Sequence, residues 1–139
     1  MISKTHIVES LLTQMFYYQQ ESKTLIQHIE SIYHEMKGLK SPNLTDVHGS
    51  PEDRQHKLIR LGEKIRLLEL KKRQYDIQYK NIFQLLHLFD VDEQDMKILE
   101  LLYKERQTCD EVALNYGYNN GKYVSRKRVK LLKKIAENV

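Results

Sequence analysis

A chain of 139 residues has room for one domain of ordinary size, or for a small domain on an extended support. Five glycines, two prolines, 30% charged residues and no tryptophan make a helical composition, and the single cysteine, Cys109, excludes an internal disulfide. No apolar run approaches the ~20 residues of a bilayer span, and the net charge of +4 is spread unevenly enough to be informative.

The opening MISKTHIVES lacks the apolar core of a signal peptide, so the expected location is the cytoplasm. From Val8 onward apolar residues recur at alternating spacings of three and four: Val8, Leu11, Met15, Tyr18, then Ser22, then Leu25, Ile29, Ile32, Met36 and Leu39. This is a heptad seam with one polar break. Gly38 and the segment LKSPNLTDVHGSPEDR are expected to end it in a loop at about 39–50. Ser50 as N-cap, Pro51 in the first helical position and Asp53 in the first turn then start a second helix.

That helix has its own seam at Leu58, Leu61, Ile65, Leu68, then Lys72, then Tyr75, Tyr79, Ile82, Leu86 and Phe89. Folded antiparallel, the two seams match layer for layer, from Leu39 with Leu58 to Val8 with Phe89. Lys72 is then the polar seam residue that fixes register at a cost in stability. Each helix would extend ~48 Å. One seam leaves Ile7, Leu12, Tyr17, Ile26, Leu67, Leu70, Ile77, Phe83, Leu85 and Leu88 at its flanks. Either a C-terminal module packs on one end of the hairpin, or two hairpins associate, and a homodimer through residues 1–89 is the expected partner arrangement.

After the joint Asp90, Val91 and Asp92, the segment DEQDMKILELLYKER reads as a helix capped by Asp92 and Asp95, with Met96, Leu99, Leu102 and Tyr103 inward. Thr108 and Glu111 form a capping box for a short helix with Val112, Ala113 and Tyr116 on one face, and Gly117 ends it. Tyr118 offers an apolar plug for the turn, Asn119 and Asn120 supply turn and N-cap, and a last helix follows with Val124, Leu131 and Ile135 inward. The expected helices are roughly 92 to 105, 108 to 116 and 120 to 137. Residues 90–139 therefore read as a helix-turn-helix DNA-binding domain, and the fold class is all-α.

The last twenty residues hold seven basic side chains and one acid, Glu137, which is +6, whereas the other 119 hold 16 basic and 18 acidic. Charge so localised is the footprint of a polyanion. With Val124 inward, Lys122, Tyr123, Ser125, Arg126, Lys127 and Lys130 are left to point outward. Arginine forks onto guanine in a major groove, while lysine and tyrosine reach phosphates.

The residues Leu-Leu-Tyr, T-x-x-E-V-A, Gly-Tyr-Asn and VSRKRVKLLKK, in that order, resemble region 4 of bacterial sigma factors. With the heptad-rich N-terminal half broken by the polar S-P-N-L loop, the whole chain resembles the small phage-encoded transcriptional regulators of the RinA and ArpU type. The resemblance implies a transcriptional activator of late phage genes that binds promoter DNA and assists host RNA polymerase in the cytoplasm of a bacterial cell. Carried onto this sequence, its DNA contacts fall on Asn120, Lys122, Tyr123, Arg126 and Lys127, with Lys130 further along the backbone. The interval from Gly117 to Val124 is one residue longer than that family's familiar spacing. Either the turn holds one more residue, or the recognition helix is rotated.

Other chemistry finds little footing. His6, His28, His34, His48, His56 and His87 have neither i, i+4 spacing nor a cysteine partner for zinc, and Asp90, Asp92, Glu93 and Asp95 read as a helix start rather than a magnesium site. No phosphate-cradling glycine loop and no nucleophile grouping is present, so no enzyme activity, metal or cofactor is expected. The alternative function is a coiled-coil adaptor that holds RNA polymerase or another protein and touches DNA without sequence preference.

Overall fold

The computed structural model describes residues 3–40 and 51–139; residues 41–50 of the expected loop, with the Ser50 cap, lie outside them. The described residues are all-α: α1 (Lys4–Lys40), α2 (Pro51–Leu88), α3 (Glu93–Tyr103), α4 (Cys109–Asn115) and α5 (Lys122–Ala136). Gly38 does not end α1, which runs on to Lys40. A glycine in a helix costs only ~1 kcal/mol, and Leu39 beyond it is partly buried. At the other boundary the expectation holds, since α2 begins at Pro51 with Glu52 and Asp53 in its first turn. Every seam residue on both long helices is buried or partly buried.

Packing divides the chain into two compact units, one holding the residues up to Gln19 with Ile77–Val139, the other Gln20–Asp76. The joint at 90–92 lies inside the first of these. In the second unit Ile29 and Ile32 of α1 share a core with Ile65 of α2, with Met36, Leu61 and Leu68 against it. Lys57 pairs with Glu35 at 3.6 Å, and Ser22 donates to Asp76 at 2.5 Å, so low numbers on one stretch meet high numbers on the other and the two run antiparallel. Lys72, expected to fix the register as the polar residue of its seam, is one corner of a network that also holds Ser22, the polar break of the other seam. Its Nζ lies 2.6 Å from Asp76 Oδ2 while Ser22 occupies Oδ1. Burial would raise the Asp76 pKa, but the Lys72 and Ser22 hydrogen bonds and the Lys72 charge outweigh it and hold the carboxyl below its usual value.

The larger core of the first unit takes residues from four helices. Val8, Leu12, Met15 and Phe16 of α1 meet Ile82 and Leu86 of α2, Val91 of the joint, Leu99 of α3, and Leu131, Leu132, Ile135 and Ala136 of α5. Two of the flank residues that a single seam left over, Leu12 and Phe83, belong to this core, to which helices from the C-terminal part of the chain also contribute. The α2 terminus explains how the chain turns into this core. Asp90 adopts φ 62°, its N–H donates to the His87 carbonyl and that of Val91 to the Leu86 carbonyl, the paired bonds of a Schellman stop. Val91 and Leu86, the two apolar positions of that motif, are both buried in the core.

α3 serves two cores with adjacent residues. Leu99 faces the large one, and Ile98, about 100° around the helix, joins Val112 and Ala113 of α4 and Val124 of α5 in a smaller one. Asp92 caps α3, its Oδ1 accepting from the Asp95 N–H at 2.8 Å. Thr108 caps α4 by accepting from the Glu111 N–H at 3.2 Å. The return half of the expected capping box differs: the Glu111 carboxylate accepts from the Thr108 hydroxyl rather than from its backbone amide.

Candidate nucleic-acid interface

α4 ends at Gly117 with a second Schellman stop. Gly117 takes φ 77°, its N–H donates to the Leu114 carbonyl, and the Tyr118 N–H to the Ala113 carbonyl. The turn runs from Tyr116 to Gly121, so Asn119 and Asn120 both lie within it, and α5 starts at Lys122. Val124 is fully buried. Val124 is thus inward, as its place in the helical pattern led one to expect.

The start of α5 is fixed by a residue that sequence reasoning passed over. Gly121 is buried against the first turn of α4, where an added Cβ would stand 2.6–2.7 Å from the Asp110 Oδ1, the Asp110 amide nitrogen and the Cys109 carbonyl carbon. Its N–H donates to Asp110 Oδ1 at 2.7 Å, and the Lys122 N–H to Asn120 Oδ1 at 3.1 Å. Two side chains thus satisfy amides at this end of the helix. The N-cap position itself falls to Gly121, which has no side chain to cap with, and not to Asn120 as expected; Asn120 lies one residue earlier, and Asp110 reaches over from the preceding helix. A glycine directly before a basic helix was the available signal. Tyr118 does not plug the turn; it is exposed, and its ring lies against that of Tyr123 with centroids 4.7 Å apart.

The seven basic side chains of this region divide by role. Lys127 pairs with Asp95 at 3.1 Å, and that hydrogen bond, reinforced by the Asp95 charge, raises the lysine pKa. Asp95 is 6% exposed, so removing Lys127 would leave a carboxylate short of a partner at a cost on the order of 1–3 kcal/mol. Arg128 donates through Nε to the Tyr103 hydroxyl at 3.1 Å and through Nη2 to Glu9 at 3.0 Å, and Tyr103 donates to the same Glu9 oxygen. The Tyr103 bond and the Glu9 carboxylate together raise the Arg128 pKa against the opposing effect of burial. Lys134 donates to the Asp90 carbonyl at 2.9 Å, closing the Schellman turn of α2. Three of the seven cations thus hold the fold together.

Lys122, Arg126, Lys130 and Lys133 remain exposed. At 100° per residue these four fall on one arc opposite Val124, with Arg126 near its middle and Tyr123 at its edge. No acid interrupts α5. Ser125 and Lys127 stand at the two borders of the arc, Ser125 exposed and Lys127 turned to Asp95. Two residues of this surface were not among those expected to contact DNA. One is Lys133. The other is Val129, exposed at 52%, which shares a shallow groove with Ser125, Arg126, Lys130 and Lys133. An apolar side chain among cations can meet a thymine methyl. Counting on from Val124 by helical angle finds both.

Among the described residues no group of three or more His, Cys, Asp or Glu side chains could hold a metal ion, and no helix is long and apolar enough to cross a membrane. Comparison of the chain with protein-family models, with curated proteins and with solved structures finds no match.

Proposed function

We propose that this chain is a DNA-binding transcriptional regulator in which an antiparallel coiled-coil hairpin over residues 1–89 carries a sigma-region-4-like helix-turn-helix over 90–139. The observation that carries the reading is the acid-free arc of α5, where Lys122, Arg126, Lys130 and Lys133 are exposed beside Tyr123 while the other cations of the region are bound internally. The resemblance to the RinA and ArpU type of phage regulator adds the expected setting, activation of late genes together with host RNA polymerase. Double-stranded DNA is the partner, with Asn120, Tyr123 and Ser125 beside the cations at the groove and Lys127 at its border.

The four exposed cations of α5 that form no ion pair among the described residues set the expected salt dependence. Log affinity should fall with log salt at a slope of about −3 to −4 for each bound chain, not the steeper slope that seven cations per chain would give. Arg126→Ala should cost ~1 to 3 kcal/mol and relax selectivity at one base position, whereas Lys133→Ala should weaken all sequences alike and flatten the slope by ~1. Equal losses on every sequence for Arg126→Ala would remove it from base recognition. The function itself is tested by selecting bound fragments from the source organism's DNA near physiological salt, with the Lys122, Arg126 and Lys130 triple alanine variant beside the natural chain. Enrichment of one site upstream of an operon, lost in the variant, is the expected result; binding without enrichment favours the adaptor.

Pairing of two copies through the hairpin belongs to the same reading, since it would offer two basic helices to a two-fold DNA site. Light scattering at micromolar concentration should return twice the chain mass. A mass of 16.7 kDa would remove the dimer and leave one helix per site.

A further inference from the structure

Within Gln20–Asp76 the seam of α2 faces α1, and the far side of the same helix carries a second pattern that this packing does not use. Leu67 and Leu70 are exposed there, at 63% and 46%. Three residues apart, they share a stripe. On a heptad frame that gives them the a and d positions, the flanking e positions are Lys64 and Lys71 and the flanking g positions are Arg66 and Arg73. All four flanking residues are exposed, and none forms an ion pair among the described residues, where Glu35 is taken by Lys57 and Asp76 by Lys72.

The neighbouring a and d positions hold Arg60, Glu63 and Gln74, so the apolar contact is one heptad long; a short leucine pair between charged borders suits one face of a docked helix, while a helix lying on a membrane needs a broad apolar face. The sign of the borders selects the partner. A second copy of this face would set cation against cation in either direction, because e meets g in a parallel pair and each meets its own kind in an antiparallel one. An acidic helix would meet complementary charge on both sides. We propose that the outer face of α2 around Leu67 and Leu70 docks an acidic amphipathic helix of a partner protein, with the partner's apolar stripe on the two leucines and its carboxylates on Lys64, Arg66, Lys71 and Arg73. This contact does not depend on what α5 binds.

The probe is a labelled synthetic peptide of about three heptads with Leu at a and d and Glu at e and g, whose uniform charge keeps it from pairing with itself; its control has Lys in place of every Glu. Binding to the full chain is read by fluorescence anisotropy. The Glu peptide should bind about tenfold or more tighter than the Lys peptide, and Leu67→Ser with Leu70→Ser should remove about tenfold or more of that affinity. Arg66→Glu with Arg73→Glu should reverse the preference, so that the Lys peptide binds better. Because these side chains are exposed, far-UV circular dichroism should be unchanged in both variants, and the α5 triple alanine variant should bind the Glu peptide as the natural chain does. Retention of affinity in the leucine variant, or the same preference after charge reversal, would overturn the proposal. So would a dimer of the natural chain that the leucine variant loses, which would make a second copy the occupant, or loss of anionic-vesicle binding in that variant, which would make it a lipid surface.

Discussion

Residues 90–139, expressed without the first 89, are expected to melt without cooperativity and to lose most of their affinity for DNA. The fragment keeps the small core of Ile98, Val112, Ala113 and Val124. It loses what covers Val91, Leu99, Leu131, Leu132, Ile135 and Ala136, because Val8, Leu12, Met15, Phe16, Ile82 and Leu86 all come from the removed part. Burying a side chain of this size contributes ~1.5 to 3 kcal/mol, so stripping several exceeds the whole stability of a typical small domain, ~5 to 15 kcal/mol. Arg128 also loses its Glu9 partner. Thermal melts followed by circular dichroism, together with DNA titrations, measure both effects. A sigmoidal melt with natural affinity would show that the large core is dispensable for the helix-turn-helix.

Gly121→Val should open the contact between α4 and α5. The added atoms would meet backbone atoms of Cys109 and Asp110 at 2.7 Å, which move only if the two helices separate, and overpacking of this kind costs ~1 to 3 kcal/mol or more. The Gly121 to Asp110 hydrogen bond is strained in the same step. Gly117→Ala is the informative companion. Nothing crowds a Cβ there, but φ 77° is left-handed, so the expected cost is ~1 to 2 kcal/mol in stability without displacement of α5. Melting temperatures rank stability, and DNA affinity corrected for the folded fraction reports the position of α5. If Gly121→Val bound DNA as well as Gly117→Ala, close approach at this turn would not matter for the interface.

The helix boundaries after residue 90 were legible because they rest on local chemistry. Asp92, Thr108 and Gly117 each satisfy or release backbone groups within a few residues of themselves, and spacing alone reveals that. The burial of the two heptad seams was legible too, since period 3.5 on a long helix leaves one face for a partner. Asp76 was missed as a member of the polar layer because it reaches the layer only by turning one helical turn back to Lys72 and across to Ser22. Gly38 misled because a glycine costs a helix only ~1 kcal/mol, which a long helix tolerates.

The sequence by itself determined an all-α chain, the turn before the last helix, and a surplus of positive charge on that helix, since each depends on residues close in number. Only the tertiary structure decided which cations are free. Lys127, Arg128 and Lys134 look like Lys122 or Arg126 in a charge count, yet their partners Asp95, Glu9 and the Asp90 carbonyl lie 32, 119 and 44 residues away. Periodicity says that a side chain leaves the core side of its helix. Whether it then meets solvent or a distant carboxylate depends on how the whole chain packs.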